Sequence, residues 1–175
     1  IYDRLVGSEM CIRDRLYLAS GSPDATALST FHALDGAQAY WQVGIAEGGA
    51  DFTGDGLPDF LVATTGWESS TGAVWAFSGA DFASGNLTFD DAVGRITGAQ
   101  PGSFTGNAIS LLGDVTGDGL VDVATSAVFA VSTAGLSGAG QVGIWTASEL
   151  GESSITDAPI LIEGYFDSAG YGQVI

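Results

Sequence analysis

The sequence predicts an all-β chain built from a repeated unit, and three observations carry that expectation. The segment Asp51-Phe52-Thr53-Gly54-Asp55-Gly56-Leu57-Pro58-Asp59 returns later in the chain as Asp114-Val115-Thr116-Gly117-Asp118-Gly119-Leu120-Val121-Asp122. The copies agree at all but their second and eighth positions. Each runs into a short apolar stretch, Phe60-Leu61-Val62-Ala63-Thr64 or Val123-Ala124-Thr125-Ser126, of the length and composition of a buried strand. Glycine, at 27 of 175 residues, suits short strands joined by tight turns better than helices.

Other segments keep the same period. Leu16-Tyr17-Leu18-Ala19-Ser20-Gly21 matches Val74-Trp75-Ala76-Phe77-Ser78-Gly79. Asp35-Gly36-Ala37-Gln38, Thr97-Gly98-Ala99-Gln100 and Ile162-Glu163-Gly164 each close a unit. A period of about 60 residues holding four strands is the size of one propeller blade. The expected architecture is therefore a partial β-propeller of about three blades, each of four antiparallel strands.

In chain order, residues 1–15 stand apart. They hold three of the four basic residues (Arg4, Arg13, Arg15) and the only Met and Cys, Met10 and Cys11. The run from Leu5 to Asp14 resembles the conceptual translation of a transposase sequencing adapter. It lacks the basic start and continuous apolar stretch of a signal peptide. Residues 1–15 are set aside from the fold as an adapter artefact. Residues 16–38 form the outer half of a blade. Residues 39–100 and 101–164 form complete blades, with strands expected near 40–46, 60–64, 73–78 and 93–97, then near 106–112, 121–127, 140–146 and 158–162. Residues 165–175 supply the first strand of a truncated blade. Helix is not expected beyond a turn.

The repeated loops carry the chemistry. Each places carboxylates at positions 1, 5 and 9, a hydroxyl at 3 and glycines at 4 and 6. Ca²⁺ takes six to eight oxygens at roughly 2.3–2.6 Å, and alternate side chains with one backbone carbonyl supply most of them. The expected ligands are Asp51, Thr53, Asp55, the Leu57 carbonyl and Asp59 in one loop. In the other they are Asp114, Thr116, Asp118, the Leu120 carbonyl and Asp122. Glycine permits the tight curvature because it reaches positive φ without strain. No His or Cys lies nearby to suit zinc, and Mg²⁺ keeps more water than a wrapping loop allows. An EF-hand needs a bidentate acid at position 12, where Val62 and Thr125 stand. Two structural Ca²⁺ sites are expected, with affinities on the order of 10⁻⁴–10⁻³ M.

With these loops in place, residues 16–175 resemble the FG-GAP repeats of integrin α-like β-propellers and of many bacterial exported proteins. The matching features are the aromatic-glycine starts, Phe104-Thr105-Gly106 and Tyr171-Gly172 (more loosely Tyr40-Trp41), the Asp loops, and the later strands Gly72-Ala73-Val74-Trp75 and Gly140-Gln141-Val142-Gly143-Ile144-Trp145. Thr53 and Thr116 stand where that family often has Asp or Asn, and the Gly-Ala-Pro that often follows the second strand is absent. The resemblance implies that the metal loop joins a blade's first and second strands, away from the ligand face. It also implies a fragment that packs against remaining blades of a longer chain, with the ligand face built from residues 65–71, 98–103 and 127–139. In that face Trp67 and Glu68 are the expected ligand-binding residues, Trp67 as an aromatic anchor.

Composition narrows the function. Residues 16–175 carry 18 acidic residues and one basic residue, Arg95, and the whole chain has a formal net charge of −17 with no lysine. Such a surface repels nucleic acid and anionic membranes, and suits saline or calcium-rich surroundings. At 46% hydrophobic residues and a mean hydropathy of +0.29, the chain still has material for a core. No apolar run approaches a membrane span of about 20 residues. His32 is the only histidine and sits in no nucleophile motif; Asp90-Asp91 and Glu149/Glu152 read as solvated turn charges. No enzyme is expected. The expectation is a secreted or cell-surface propeller, from a bacterial, marine or saline source, that binds a protein or glycan in adhesion. The alternative is an accessory propeller of a secreted polysaccharide lyase or phospholipase.

Overall fold

The computed structural model describes residues 16–19, 31–35, 43–82, 87–146 and 149–175. The expectation for residues 1–15, and part of that for 16–38, lies outside them. Strands dominate what is described, with α-helix confined to two short turns, α1 (Trp67–Ser70) and α2 (Gly79–Phe82).

The first full unit is a meander of β3 (Val43–Ala50), β4 (Asp59–Thr64), β5 (Ala73–Phe77) and β7 (Gly94–Thr97), each antiparallel to the next. The second repeats it with β8 (Thr105–Gly113), β9 (Asp122–Ala127), β10 (Gln141–Trp145) and β12 (Ile160–Glu163). In both units the register shifts at corresponding places. One shift comes early in the first strand and the other just before the aspartate loop, between Gly48 and Ala50 or Leu111 and Gly113. Such bulges bend a strand and re-aim the chain; here they turn it into the loop. Near the N-terminus, β1 (Leu16–Ala19) pairs antiparallel with β2 (Phe31–Asp35).

One difference from expectation concerns the sheet edges. The first sheet has a fifth strand, β11 (Glu152–Ser154), which the later unit contributes and which runs parallel to β7. A pairing of the same kind joins β6 (Leu87–Thr88) to β2. Gly94 admits the pairing of β11 with β7, since a Cβ there would meet the Leu150 carbonyl oxygen at 2.6 Å.

Alternation along the strands explains the packing. Leu61, Ala63, Val74, Ala76 and Ile96 on one face of the first sheet join Ile109, Val123, Ala127, Trp145 and Ile155 of the second unit in one buried cluster. Phe60, Val62, Trp75 and Phe77 occupy the opposite face of the first sheet, clustered with Leu87 and Phe89. Fully burying one such aliphatic or aromatic side chain contributes roughly 1.5–3 kcal/mol. Val123 holds the place in β9 that Phe60 holds in β4, each following the last aspartate of its loop. The second sheet therefore meets the first with the face that the first turns the other way. The starts of successive units dock alike. Gly106 (φ +89°) lies where a Cβ would meet the Ala63 Cβ at 2.9 Å. Gly172 (φ +88°) repeats this against the Ser126 Cβ at 2.7 Å. Glycine follows the aromatic start because both the close approach and the left-handed backbone exclude a side chain.

Candidate metal centre

Loop 51–59 connects β3 to β4 and is organised by its own carboxylates. Asp51 Oδ1 accepts the backbone N–H groups of Gly54 (2.7 Å) and Asp55 (3.1 Å), and its Oδ2 accepts that of Gly56 (2.8 Å). Gly54 (φ +79°) and Gly56 (φ +87°) supply the left-handed residues this wrapping requires. Asp59 opens β4 and is 1% exposed, yet it is satisfied. Its Oδ2 accepts from Phe52 N (2.8 Å) and Thr53 N (2.7 Å), and its Oδ1 from Gly79 N (2.9 Å). A buried carboxylate is tolerated when such bonds replace its water.

Asp55 completes the cluster. Its Oδ2 accepts from the Ser78 hydroxyl (2.7 Å) and its Oδ1 from Leu57 N (2.8 Å). The Ser78 bond, followed by those from Leu57 N–H and the Thr53 hydroxyl, lowers its pKa below the usual aspartate value, against an opposing effect of desolvation. Asp51, Asp55 and Asp59 each bring a carboxylate oxygen within 4.8 Å of the others. Among the described residues Asp51 Oδ2 and Asp59 Oδ1 each have one hydrogen-bond donor, so both retain an acceptor direction. Three hard oxygen donors at this spacing, with no lysine in the chain to balance them, fit a cation such as Ca²⁺.

Loop 114–122 reproduces the scaffold. Asp114 accepts from Gly117, Asp118 and Gly119; Asp122, fully buried, accepts from Val115 N and Thr116 N; Leu120 N donates to Asp118. Among the described residues, however, only the first loop gathers three carboxylate oxygens within 4.8 Å of one another. Two equivalent clusters were expected; one is formed. The contacts around the loops differ at two points. Thr146, which follows β10 as Ser78 follows β5, donates its hydroxyl to Glu149 (3.0 Å). The Thr116 hydroxyl bonds Asp122 Oδ1 (3.1 Å), the oxygen whose counterpart in the first loop accepts from Gly79. The two loops are neighbours: Leu120 Cδ2 lies 3.6 Å from the position of a Cβ on Gly54.

Trp67 and Glu68 fall in the turn after β4, away from the aspartates in sequence. Trp67 is 9% exposed and lies edge-on to Trp75, with ring centroids 6.2 Å apart. The Arg95 guanidinium sits 5.3 Å from the Trp67 ring centroid and 5.0 Å from that of Trp75, and is paired with Glu152. Trp67 is thus packed around Arg95, while Glu68 is exposed with φ +40°. Sequence reasoning missed Ser78 and the partnership of Arg95 with two tryptophans, because both arise from strands brought together by the sheet. The recurrence of Ser20-Gly21 as Ser78-Gly79 was the one available signal for the serine.

No curated protein matches the chain. The FG-GAP repeat family model matches residues 43–77, from the first residue of β3 to the last of β5, with the aspartate cluster between them. This stretch of the chain is an FG-GAP repeat.

Proposed function

We propose that the chain is part of a calcium-stabilised β-propeller whose role is binding, in a secreted or cell-surface protein, with a protein or glycan as ligand. The observation that carries this reading is the Asp51, Asp55 and Asp59 cluster within an FG-GAP repeat. The inter-unit packing, repeated from Gly106 to Gly172, supports the ring architecture, because one contact applied again and again generates a closed or helical array. Asp51, Asp55 and Asp59 hold the ion, with Thr53 and the Leu57 carbonyl as the remaining ligands of the loop. The ion supplies positive charge that locks the β3–β4 connection and performs no chemistry. Asp114, Asp118 and Asp122 form a second, weaker site, closing around the ion only when it binds.

The test is a Ca²⁺ titration of the full chain by differential scanning calorimetry and Tb³⁺ luminescence. A ligand that binds only the folded state raises its melting temperature, so millimolar Ca²⁺ raises Tm and Asp55→Asn removes most of the rise. A Tm indifferent to Ca²⁺, with no Tb³⁺ signal, overturns the metal reading.

A further inference from the structure

We infer that the outer edge of β12 is an acceptor for a strap of the form Ser/Thr-apolar-x-Asp, carried by a further repeat unit of this kind. The inference rests on strand pairing and is independent of the metal reading.

Two such straps are already docked. Leu87-Thr88-Phe89-Asp90-Asp91 lies parallel to β2, with Leu34 opposite Leu87 and Asp35 opposite Thr88. Glu152-Ser153-Ser154-Ile155-Thr156-Asp157 lies parallel to β7, with Ile96 opposite Ser153 and Thr97 opposite Ser154. Each pairs with the last strand of the preceding unit and then turns into a single 3-10 turn, Phe89–Asp91 or Ile155–Asp157. Both turns are closed by the same reciprocal cap. Thr88 N donates to Asp91 Oδ2 (2.7 Å), and Ser154 N donates to Asp157 Oδ2 (2.9 Å). Each then drops an apolar side chain into the core, Phe89 at 6% exposure and Ile155 at 0%.

β12 is the corresponding strand of the second unit. Val142 faces Ile162 as Val74 faces Ile96, and Gln141 faces Glu163 as Ala73 faces Thr97. Among the described residues no strand pairs with its outer edge. The consequence is visible in exposure: Ile96, beside its strap, is 2% exposed, whereas Ile162 is 40% and Ile160 43% exposed. An apolar edge of this kind is a template for strand addition. Register follows from the two docked straps, whose Ser/Thr lies opposite Asp35 or Thr97 and whose preceding residue lies opposite Leu34 or Ile96. On β12 the corresponding places put the strap's Ser/Thr opposite Glu163 and its preceding residue opposite Ile162.

The test extends the full chain at its C-terminus by a flexible Gly/Ser linker and an added copy of Leu87-Thr88-Phe89-Asp90-Asp91-Ala92. The linker holds the strap at an effective concentration in the millimolar range. Amide hydrogen exchange is then compared with that of a chain bearing the same extension scrambled. The expected result is exchange about tenfold slower at the amides of β12, lost when Phe89→Asp is made in the added copy alone, which leaves the folded chain untouched. Ile162→Lys in β12 abolishes it as well. Equal exchange with the true and scrambled extensions, or slowing confined to other strands, overturns the inference.

Discussion

Loops 51–59 and 114–122 share their carboxylates, their hydroxyl, their glycines and nearly every backbone bond, yet only the first gathers its oxygens into one cluster. Position 1 caps the turn in both, and position 9 is a buried acceptor in both. The loops part at their hydroxyl contacts, one inside the loop and one beyond it: the Thr116 hydroxyl bonds Asp122, whereas in the first loop Asp55 is bonded by Ser78. Ser78, just past β5, donates its hydroxyl to Asp55, and Thr146, just past β10, donates its hydroxyl to Glu149. The loop motif thus specifies a wrapped backbone, while the hydroxyl contacts on its carboxylates, from within the loop and from beyond it, differ between the copies.

The comparison breaks hardest at position 9. Replacing Asp59 or Asp122 by Ala strips the acceptor from at least two backbone N–H groups that fold the loop back onto the strand. Each buried donor left unpaired costs about 1–3 kcal/mol, so each substitution should destabilise the chain by about 3 kcal/mol or more. Urea unfolding in the presence of EDTA measures this without any contribution from metal. Similar losses at both sites confirm a shared scaffold; tolerance at one of them means that the loops are held by different forces.

The next effect separates the loops. Ser78→Ala removes the hydroxyl that donates to Asp55. Losing a group that orients a metal ligand typically weakens binding by about tenfold or more. Tb³⁺ affinity at the first loop should fall by that factor, toward that of the second, while Thr146→Ala leaves the first loop unchanged. An unaltered titration after Ser78→Ala would show that Asp55 is positioned by the loop alone.

The smallest effect concerns the strap caps. The backbone N–H and then the hydroxyl of Thr88 lower the pKa of Asp91. A carboxylate with a depressed folded pKa adds stability above its unfolded value of about 3.9, and that stability is lost as pH falls through the lower, folded value. Wild type should therefore exceed Asp91→Asn in melting temperature at pH 6, and the gap should close below about pH 4. A gap that persists well below that pH would place the effect in packing and not in the ionised cap.

Much of this organisation was legible in the residues. The strands expected in the two full units coincide with β3, β4, β5, β7, β8, β9, β10 and β12 to within a few residues, because apolar runs bounded by glycine and aspartate have few alternatives. Asp51, Asp55 and Asp59 were expected to converge, and they do. The parallel straps were not anticipated. Their signal, Thr88-Phe89-x-Asp91 returning in the next unit as Ser154-Ile155-x-Asp157, is short enough to pass for ordinary turn chemistry. The side-chain surroundings of Trp67 were equally hidden, since Arg95 belongs to a different strand of the sheet.

The sequence by itself determined the local features of this protein: strands, left-handed glycines and self-capping carboxylates. Each depends on contacts close along the chain, which steric and hydrogen-bonding rules settle without reference to distant segments. Tertiary structure alone decided which loop gathers its carboxylates, what surrounds Trp67 and which sheet edge is covered. Those outcomes turn on Ser78, Arg95 and the straps, all brought into contact by pairing between strands that lie apart in sequence. Near-identical loops can therefore differ in side-chain geometry, because the same hydroxyl at position 3 and the hydroxyls beyond the loop find different partners in the two copies.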